Sequence, residues 1–396
     1  MCNWLEAMED ANLALVSWIG GEFTVRFIRH FSIEGKELKS CDIERRDTNG
    51  KAQRFTLKRT FFFRPSAIQC AIRERNVFKR LHEAEITSPF LPTLYHSFMI
   101  GQTSSVLVLN LSSGKDLSDI VNAIGRINEY AVLFYVAEIM CALEKLHQLR
   151  IVHMDLKPEN VILHPSGHIM LSDFDRSNDL SSENLMKSEW ISFGGTEEFM
   201  APEVVSKRTI STAADIWGLG IVTAVLACGI LSPSKRSASG GCVYRTFNFK
   251  NLSESLQSFI RACLSPDYNM RPEIAQLKSH GFFRSVDWDE ANSCKLVVPY
   301  DPFSILRGTK PVFHPTDAKI LSIALDENPP FLIDSPRNEK PNEYSDLFPR
   351  EFCDPANLSR AGITTSRIEE LFADFDFVHR SFRDIFPKER GQNEDS

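Results

Sequence analysis

The chain has 396 residues, 43% of them hydrophobic and 24% charged, enough for one large two-lobed domain or two ordinary ones. A formal net charge of −7 lacks the basic surplus of a nucleic-acid-binding chain and suits basic peptide partners instead. The nine cysteines are scattered with no C-x-x-C pair, which argues against a metal framework and for a reducing compartment. No signal peptide is read, since the first apolar run, Leu13 to Ile19, follows an acidic segment. No run reaches the ~20 residues of a bilayer-crossing helix. The expectation is a soluble cytoplasmic protein, with the nucleus also open, no membrane span and no nucleic-acid partner.

In chain order, a helix-like stretch (Trp4, Leu5, Met8, Leu13) gives way to strand-like alternation at Phe23, Val25 and Phe27. Residues 54–59 read as a strand, with Phe55 and Leu57 on one face and Lys58 on the other. Ala67 to Leu81 has the spacing of an amphipathic helix and carries Glu74. Ser105 to Leu111 is a β-rich apolar run ending at the polar stretch Ser112 to Asp116, and a long helix is predicted over Glu129 to Leu149. Val161-Ile162-Leu163 and His168-Ile169-Met170-Leu171 form a hairpin pattern around Pro165-Ser166-Gly167. From 213 to 283 the pattern is helical apart from a Ser/Gly-rich loop, Ser232 to Gly241. Beyond 284 prolines become frequent and periodicity fades, as in an extended tail. A β-rich half followed by an α-rich half, with reactive residues at the junction, places the site in an interlobe cleft.

Those reactive residues lie on the loops that flank the hairpin. His153-Met154-Asp155-Leu156-Lys157-Pro158-Glu159-Asn160 precedes it, and Asp173-Phe174-Asp175 follows it. Phosphoryl transfer from ATP needs this assortment: Asp155 to accept the proton of an attacking hydroxyl, and Lys157 to neutralise charge on the phosphoryl group. Asn160 and Asp173 would hold the Mg²⁺ that bridges the phosphates. Read blandly, the first loop is only a polar turn before a strand, but that does not explain two such loops in this order.

On these motifs the chain resembles the eukaryotic protein kinases from about residue 31 to 283. The resemblance implies an α+β, two-lobed fold with a small β-rich lobe and a larger helical lobe, after an N-terminal extension at 1–30. It implies that Lys58 contacts the ATP phosphates and pairs with Glu74, sixteen residues later. Asn110, Leu111 and Ser112 would form the hinge facing adenine through backbone groups. Met200-Ala201-Pro202-Glu203 is similar to the end of an activation loop, with Glu203 pairing with Arg271. Asp215-Ile216-Trp217-Gly218-Leu219-Gly220 is similar to the helix that anchors the catalytic loop.

Within the kinases, the AGC group of serine/threonine enzymes is the most similar. The segment Ser192 to Phe199 resembles its activation segment, with Ser192 the phosphosite for an upstream kinase. Residues 284–396 resemble its C-terminal tail, where Phe372, Phe375 and Phe377 make an F-x-x-F-x-F hydrophobic motif that would dock on the small lobe and hold the Glu74 helix. Asp116 and Glu159 stand where kinases preferring basic protein substrates carry acids, and Asp116 is also placed for the ATP ribose.

Several positions depart from the family pattern. Met154 replaces an Arg that grips an activation-loop phosphate, so dependence on Ser192 phosphorylation should be weak. Asp175 replaces a Gly. Asp376 supplies a fixed charge where a phosphorylated residue is common, although a carboxylate mimics phosphate only in part. The glycine-rich loop is poor: spacing places it at Ile33 to Ser40, with only Gly35, and Ile19 to Val25 is the alternative. The glycine-poor loop supports another reading, a pseudokinase acting as scaffold or allosteric partner; a second, a kinase-fold enzyme acting on a small molecule, is opposed by the activation segment and tail, which organise a peptide-binding surface.

Overall fold

The alternating and β-rich runs of the first 110 residues form one antiparallel sheet. The computed structural model describes residues 23–26, 31–32, 37–38, 41–46, 52–62, 65–100, 104–110, 115–181, 195–229, 247–299, 301–306 and 364–379. Its strands are β1 (Phe23–Arg26), β2 (Phe31–Ser32), β3 (Glu37–Leu38), β4 (Cys41–Arg46), β5 (Ala52–Phe61), β6 (Leu94–Ile100), β7 (Ser104–Asn110), β8 (Ile151–Val152), β9 (Val161–Leu163), β10 (Ile169–Leu171), β11 (Asn178–Asp179) and β12 (Phe377–Val378). Its α-helices are α1 (Pro65–Glu83), α2 (Leu117–Ile124), α3 (Glu129–Gln148), α4 (Pro202–Val205), α5 (Ala213–Cys228), α6 (Glu254–Cys263), α7 (Ile274–Lys278), α8 (Trp288–Asn292), α9 (Pro302–Leu306) and α10 (Thr365–Leu371). The helix-like stretch at Trp4 to Leu13, the loop Ser232 to Gly241 and most of the proline-rich tail lie outside the described residues.

The described residues divide into two units, one drawn from Met1–Arg75, Thr93–Leu111 and Pro311–Ser396, the other from Asn76–Pro92 and Ser112–Lys310. In the first, the sheet order is β1-β4-β5-β7-β6-β12, with every neighbouring pair antiparallel. β1 falls within the segment read as an N-terminal extension, yet it pairs along its whole length with β4. The connection between them, residues 27–40, carries the small β2–β3 hairpin, in register Phe31↔Leu38 and Ser32↔Glu37. This connection covers the expected phosphate loop; Gly35 itself is outside the described residues. Phe55 is buried, and Lys58, at an odd spacing from it, leaves the opposite face of β5.

The tail segment completes the same unit. Thr364 caps α10 by accepting from Arg367 N–H, and Ile368, Phe372 and Phe375 are buried. Phe372 packs on Phe62 with ring centroids 4.9 Å apart. The Phe375 carbonyl accepts from Arg75 Nε at 3.1 Å and from Ser97 Oγ at 2.5 Å, and Arg75 also lies 5.8 Å over the Phe375 ring. Phe377, half-exposed, contributes backbone to β12 opposite Ser97. A sequence reading of fading periodicity thus misses the short α8, α9 and α10, each five to seven residues long.

In the second unit two mostly apolar helices form much of the core. In α5 each residue from Ala214 to Ala227 is buried, and in α3 thirteen residues are. α3 starts at Asn128, whose side chain accepts from Ala131 N–H, and α5 stops at Gly229, with φ 86. α6 packs on α5 so closely that a Cβ on Gly220 would stand 2.7 Å from that of Cys263. α2, which the sequence reading passes over, is held by Asp116: its carboxylate accepts from Asp119 N–H while Asp119 accepts from the Asp116 N–H. No helix among the described residues is long and apolar enough to cross a membrane.

One buried ion pair ties these helices to the chain before them. Arg271 grips Glu203 with two bonds of 2.7 and 2.8 Å and also donates to the carbonyls of Ala213 and Ser265. Its guanidinium lies 5.0 Å over the Trp217 ring. This is the pairing read from the sequence. Removing one partner strands the other charge in the interior. Arg271→Ala should therefore cost about 3–5 kcal/mol in urea denaturation followed by circular dichroism; a loss below about 1 kcal/mol, the range of a surface pair, would contradict it.

Candidate active site

Strand pairing brings the two reactive loops side by side. β9 pairs with β10 as a hairpin turned at Gly167, with φ 89, and β8 pairs with β11 outside it. The loop from β8 to β9 carries His153 to Asn160, and that from β10 to β11 carries Ser172 to Ser177. They are then laced together. Ser172 N–H and Oγ donate to the Asn160 carbonyl, the His153 ring meets the Ser172 carbonyl at 3.0 Å, and Ser177 Oγ donates to the His153 carbonyl. Phe174 is fully buried, its ring edge-on to Phe78 and His153 at 5.3 Å each.

The first loop hangs from α5. Asp215, 1% exposed, accepts from Met154 N–H at 2.9 Å through one oxygen and from His153 N–H at 2.8 Å through the other. His147 Nε2 lies 2.9 Å from that second oxygen. Two non-glycine residues hold left-handed backbone here, Met154 at φ 71 and Asp173 at φ 68. Such conformations cost roughly 1–3 kcal/mol each and persist where the surroundings over-determine them. The Asp215 clamp does that for Met154. Leu156 rests on Gly218, where a Cβ would come within 3.1 Å.

Asp155 stands at the centre, 6% exposed. Its Oδ1 accepts the Thr196 N–H at 2.8 Å, and its Oδ2 lies 2.9 Å from Lys157 Nζ and 3.2 Å from Asn160 Nδ2. Lys157 Nζ also donates to Thr196 Oγ1 at 2.8 Å, and Asn160 Nδ2 to the Asp155 carbonyl at 2.8 Å. Burial pushes the Asp155 carboxyl upward, but Lys157 and the Thr196 N–H outweigh it and hold the group below the ordinary carboxylate range. Burial works against the Lys157 charge as well, and Asp155 overcomes it, so the ammonium is kept above its usual value. The result is an ionised carboxylate beside a fixed cation, each made durable by the other. Thr196 is the residue that the sequence reading missed. Its first contribution is a backbone N–H, which no side-chain pattern reveals; the visible signal was its place six residues before Pro202.

The remaining candidates divide by unit. Lys58 Nζ lies 2.7 Å from both oxygens of Glu74, itself 2% exposed, within the sheet unit. Asn110 turns its side chain to Thr93 N–H at 2.9 Å and spends its own N–H on the Thr93 carbonyl; Leu111 and Ser112 lie outside the described residues. Ser192 does too. In the other unit Asp116 and Glu159 are electrostatic neighbours, and Asp116 runs beside Ile162. Asp116 is a buried cap whose carboxyl is pushed up to about 6, first by burial, whereas Glu159 is exposed.

The protein kinase domain model matches residues 51–283 of the chain. Serine/threonine-protein kinase SCH9 of Candida albicans is 33% identical over 275 residues, 66% of this chain and 34% of its own. Ribosomal protein S6 kinase alpha-6 of Mus musculus is 31% identical over 253 residues, 61% of this chain and 32% of its own. Serine/threonine-protein kinase Sgk1 of Danio rerio is 33% identical over 240 residues, 58% and 53% of the two. The chain thus spans between about a third and a half of the length of these relatives. The match covers more than half of this chain and includes both reactive loops and the Asp215 clamp, so the chain belongs to the protein kinase family and is most like its AGC group.

Proposed function

We propose that the chain is an ATP-dependent serine/threonine protein kinase of intracellular, cytoplasmic signalling. The observation that carries this reading is the buried Asp155 carboxylate, fixed between Lys157, Asn160 and the Thr196 N–H. Asp155 accepts the proton of a substrate Ser or Thr hydroxyl as the oxygen–phosphorus bond forms and the bond from the γ-phosphorus to the β-phosphate oxygen breaks, leaving phosphoprotein and ADP. Lys157 stabilises charge on the transferred group. The Lys58–Glu74 pair, closed at 2.7 Å, anchors the ATP phosphates. Lys157 in the loop and the relatives named as serine/threonine-protein kinases support the substrate class.

The donor set fits magnesium. Asn160 commits its amide nitrogen to Asp155, which leaves its oxygen as a donor, and Asp173 adds a carboxylate; oxygen donors suit a hard cation. When bound, Mg²⁺ would neutralise phosphate charge. Among the two acids read for basic substrates, Glu159 is the exposed one and carries that proposal, while Asp116 serves first as a cap. Residues 284–396 would act as an AGC-type tail, with the Phe372–Phe375 contacts on Arg75 supporting the helical turn that holds Glu74. A kinase domain at 31–283 would complete the organisation, with β1 of the segment 1–30 joining its sheet.

Three variants test this scheme, each assayed with Mg²⁺, labelled ATP and a basic Ser/Thr peptide. Asp155→Asn should lower transfer by about 10²–10⁴-fold with folding unchanged, and transfer that survives would discredit the base; tight ATP binding without transfer by the parent chain would favour a pseudokinase instead. Ser192→Ala should keep most of the activity, because Met154 offers no guanidinium to a phosphate; a large loss in a folded variant would sink this. Phe375→Ala should cost about 3–5 kcal/mol of stability and reduce transfer below the physiological-temperature rate of the parent. Unchanged transfer would remove the tail from the assignment.

A further inference from the structure

Away from the reactive loops, three side chains with a different chemistry meet between α3, the β9–β10 hairpin and the end of α8. Glu138, on α3, is fully buried; one carboxylate oxygen lies 2.5 Å from His168 Nδ1, and the other accepts the Ile169 N–H at 3.0 Å. Cys294 is the third, and its sulfur stands beside the other two. One ligand atom from each of Glu138, His168 and Cys294 lies within 4.8 Å of the other two.

The position of Cys294 is unusual. It follows α8 with φ 53, in the left-handed region, where Lys295 N–H closes on the Glu290 carbonyl at 2.9 Å and Cys294 N–H on that of Ala291 at 3.2 Å. Glycine or asparagine ordinarily ends a helix in this way, and any other residue costs roughly 1–2 kcal/mol. The helix stop is satisfied by backbone alone, so the thiol is not needed for it. The sulfur lies instead within 4.8 Å of the Glu138 and His168 ligand atoms.

We propose that Glu138, His168 and Cys294 form a binding site for a zinc-class divalent cation, with solvent in the fourth position. One oxygen, one nitrogen and one sulfur donor make a mixed set that suits zinc and rejects magnesium, which takes oxygen. The Ile169 N–H orients the Glu138 carboxylate, the kind of support a ligating carboxylate receives. His168 and Cys294 are each half-buried, which leaves an entry path and room for water. The three donors come from three separate elements, so a bound ion would cross-link them.

A ligating imidazole nitrogen and thiolate must be deprotonated, so uptake of zinc releases protons. The Glu138–His168 contact must lengthen from 2.5 Å to roughly 3.3 Å, the separation of donors around tetrahedral zinc. Because that contact already ties the hairpin to α3, the fold does not depend on the metal and loading is reversible.

The test uses the full chain, stripped with a chelator and held in excess Mg²⁺ so that Asn160 and Asp173 do not report. Calorimetric titration with zinc chloride should give one ion per chain, with proton release that scales with buffer ionisation enthalpy. Cobalt should give a thiolate-to-metal charge-transfer band. Cys294→Ser and His168→Asn should each weaken zinc by at least about tenfold, and Cys294→Ser should abolish the band and the zinc-dependent rise in melting temperature. Cys294→Ser is partly exposed and leaves the Glu138–His168 pair intact, so its folding is checked by its unchanged metal-free melting temperature. Equal zinc affinity in that variant, a band that persists in it, or no band in the parent chain would each overturn the proposal.

Discussion

The Asp215 carboxylate is the constraint on which the reactive centre depends. A buried charge is costly unless its lone pairs are met, and here they are met by the two backbone N–H groups of His153 and Met154 and by His147. The exchange fixes Met154 in a left-handed conformation that it would not keep alone. The next residue is Asp155, so the direction in which the candidate base leaves the chain is set by a helix sixty residues away. The same helix offers Gly218 to Leu156, while its N-terminal Ala213 carbonyl accepts from Arg271. The geometry of this loop and the packing of the core are thus one structure, and α5 is buried from Ala214 to Ala227 because it serves both.

Electrostatics in the loop follow the same economy. Asp155, Lys157, Asn160 and Thr196 bond to one another, and this set holds the Asp155 carboxyl below the ordinary carboxylate range against the upward push of burial. Met154 contributes only backbone and apolar bulk to this arrangement, being 7% exposed. A position that reads in the sequence as a missing charge is, in the fold, a buried side chain next to the candidate base.

What the sequence revealed depended on whether a role belongs to a side chain or to the backbone. Lys58 and Glu74 were legible from their spacing, Glu203 and Arg271 from their motifs, and the hairpin from its apolar runs around Pro165-Ser166-Gly167. Phe372 and Phe375 were legible as aromatics in a polar tail. Thr196 was not, because its main bond to Asp155 comes from an N–H that every residue but proline has. Nor was α2: Leu117, Ile120, Val121 and Ile124 have helical spacing, but eight residues after a polar stretch are too few to stand out, and its capping box uses Asp119 where Glu or Gln is the usual signal. β12 has only two residues, and a strand that short exists because β6 offers an edge to it.

That last pairing has a consequence for how the protein is made. Ser97 and the Phe375 carbonyl that it meets are 278 residues apart in sequence, and β12 is the outermost strand of a sheet whose other members all precede residue 111. A ribosome adding roughly 5–20 residues per second needs about a quarter of a minute to a minute to cover that interval. Throughout it, β6 presents an unpaired edge, and the pocket for Phe372 and Phe375 is unfilled. The sheet must therefore survive synthesis as an open-edged intermediate, the kind of surface that recruits chaperones or mispairs with a neighbour.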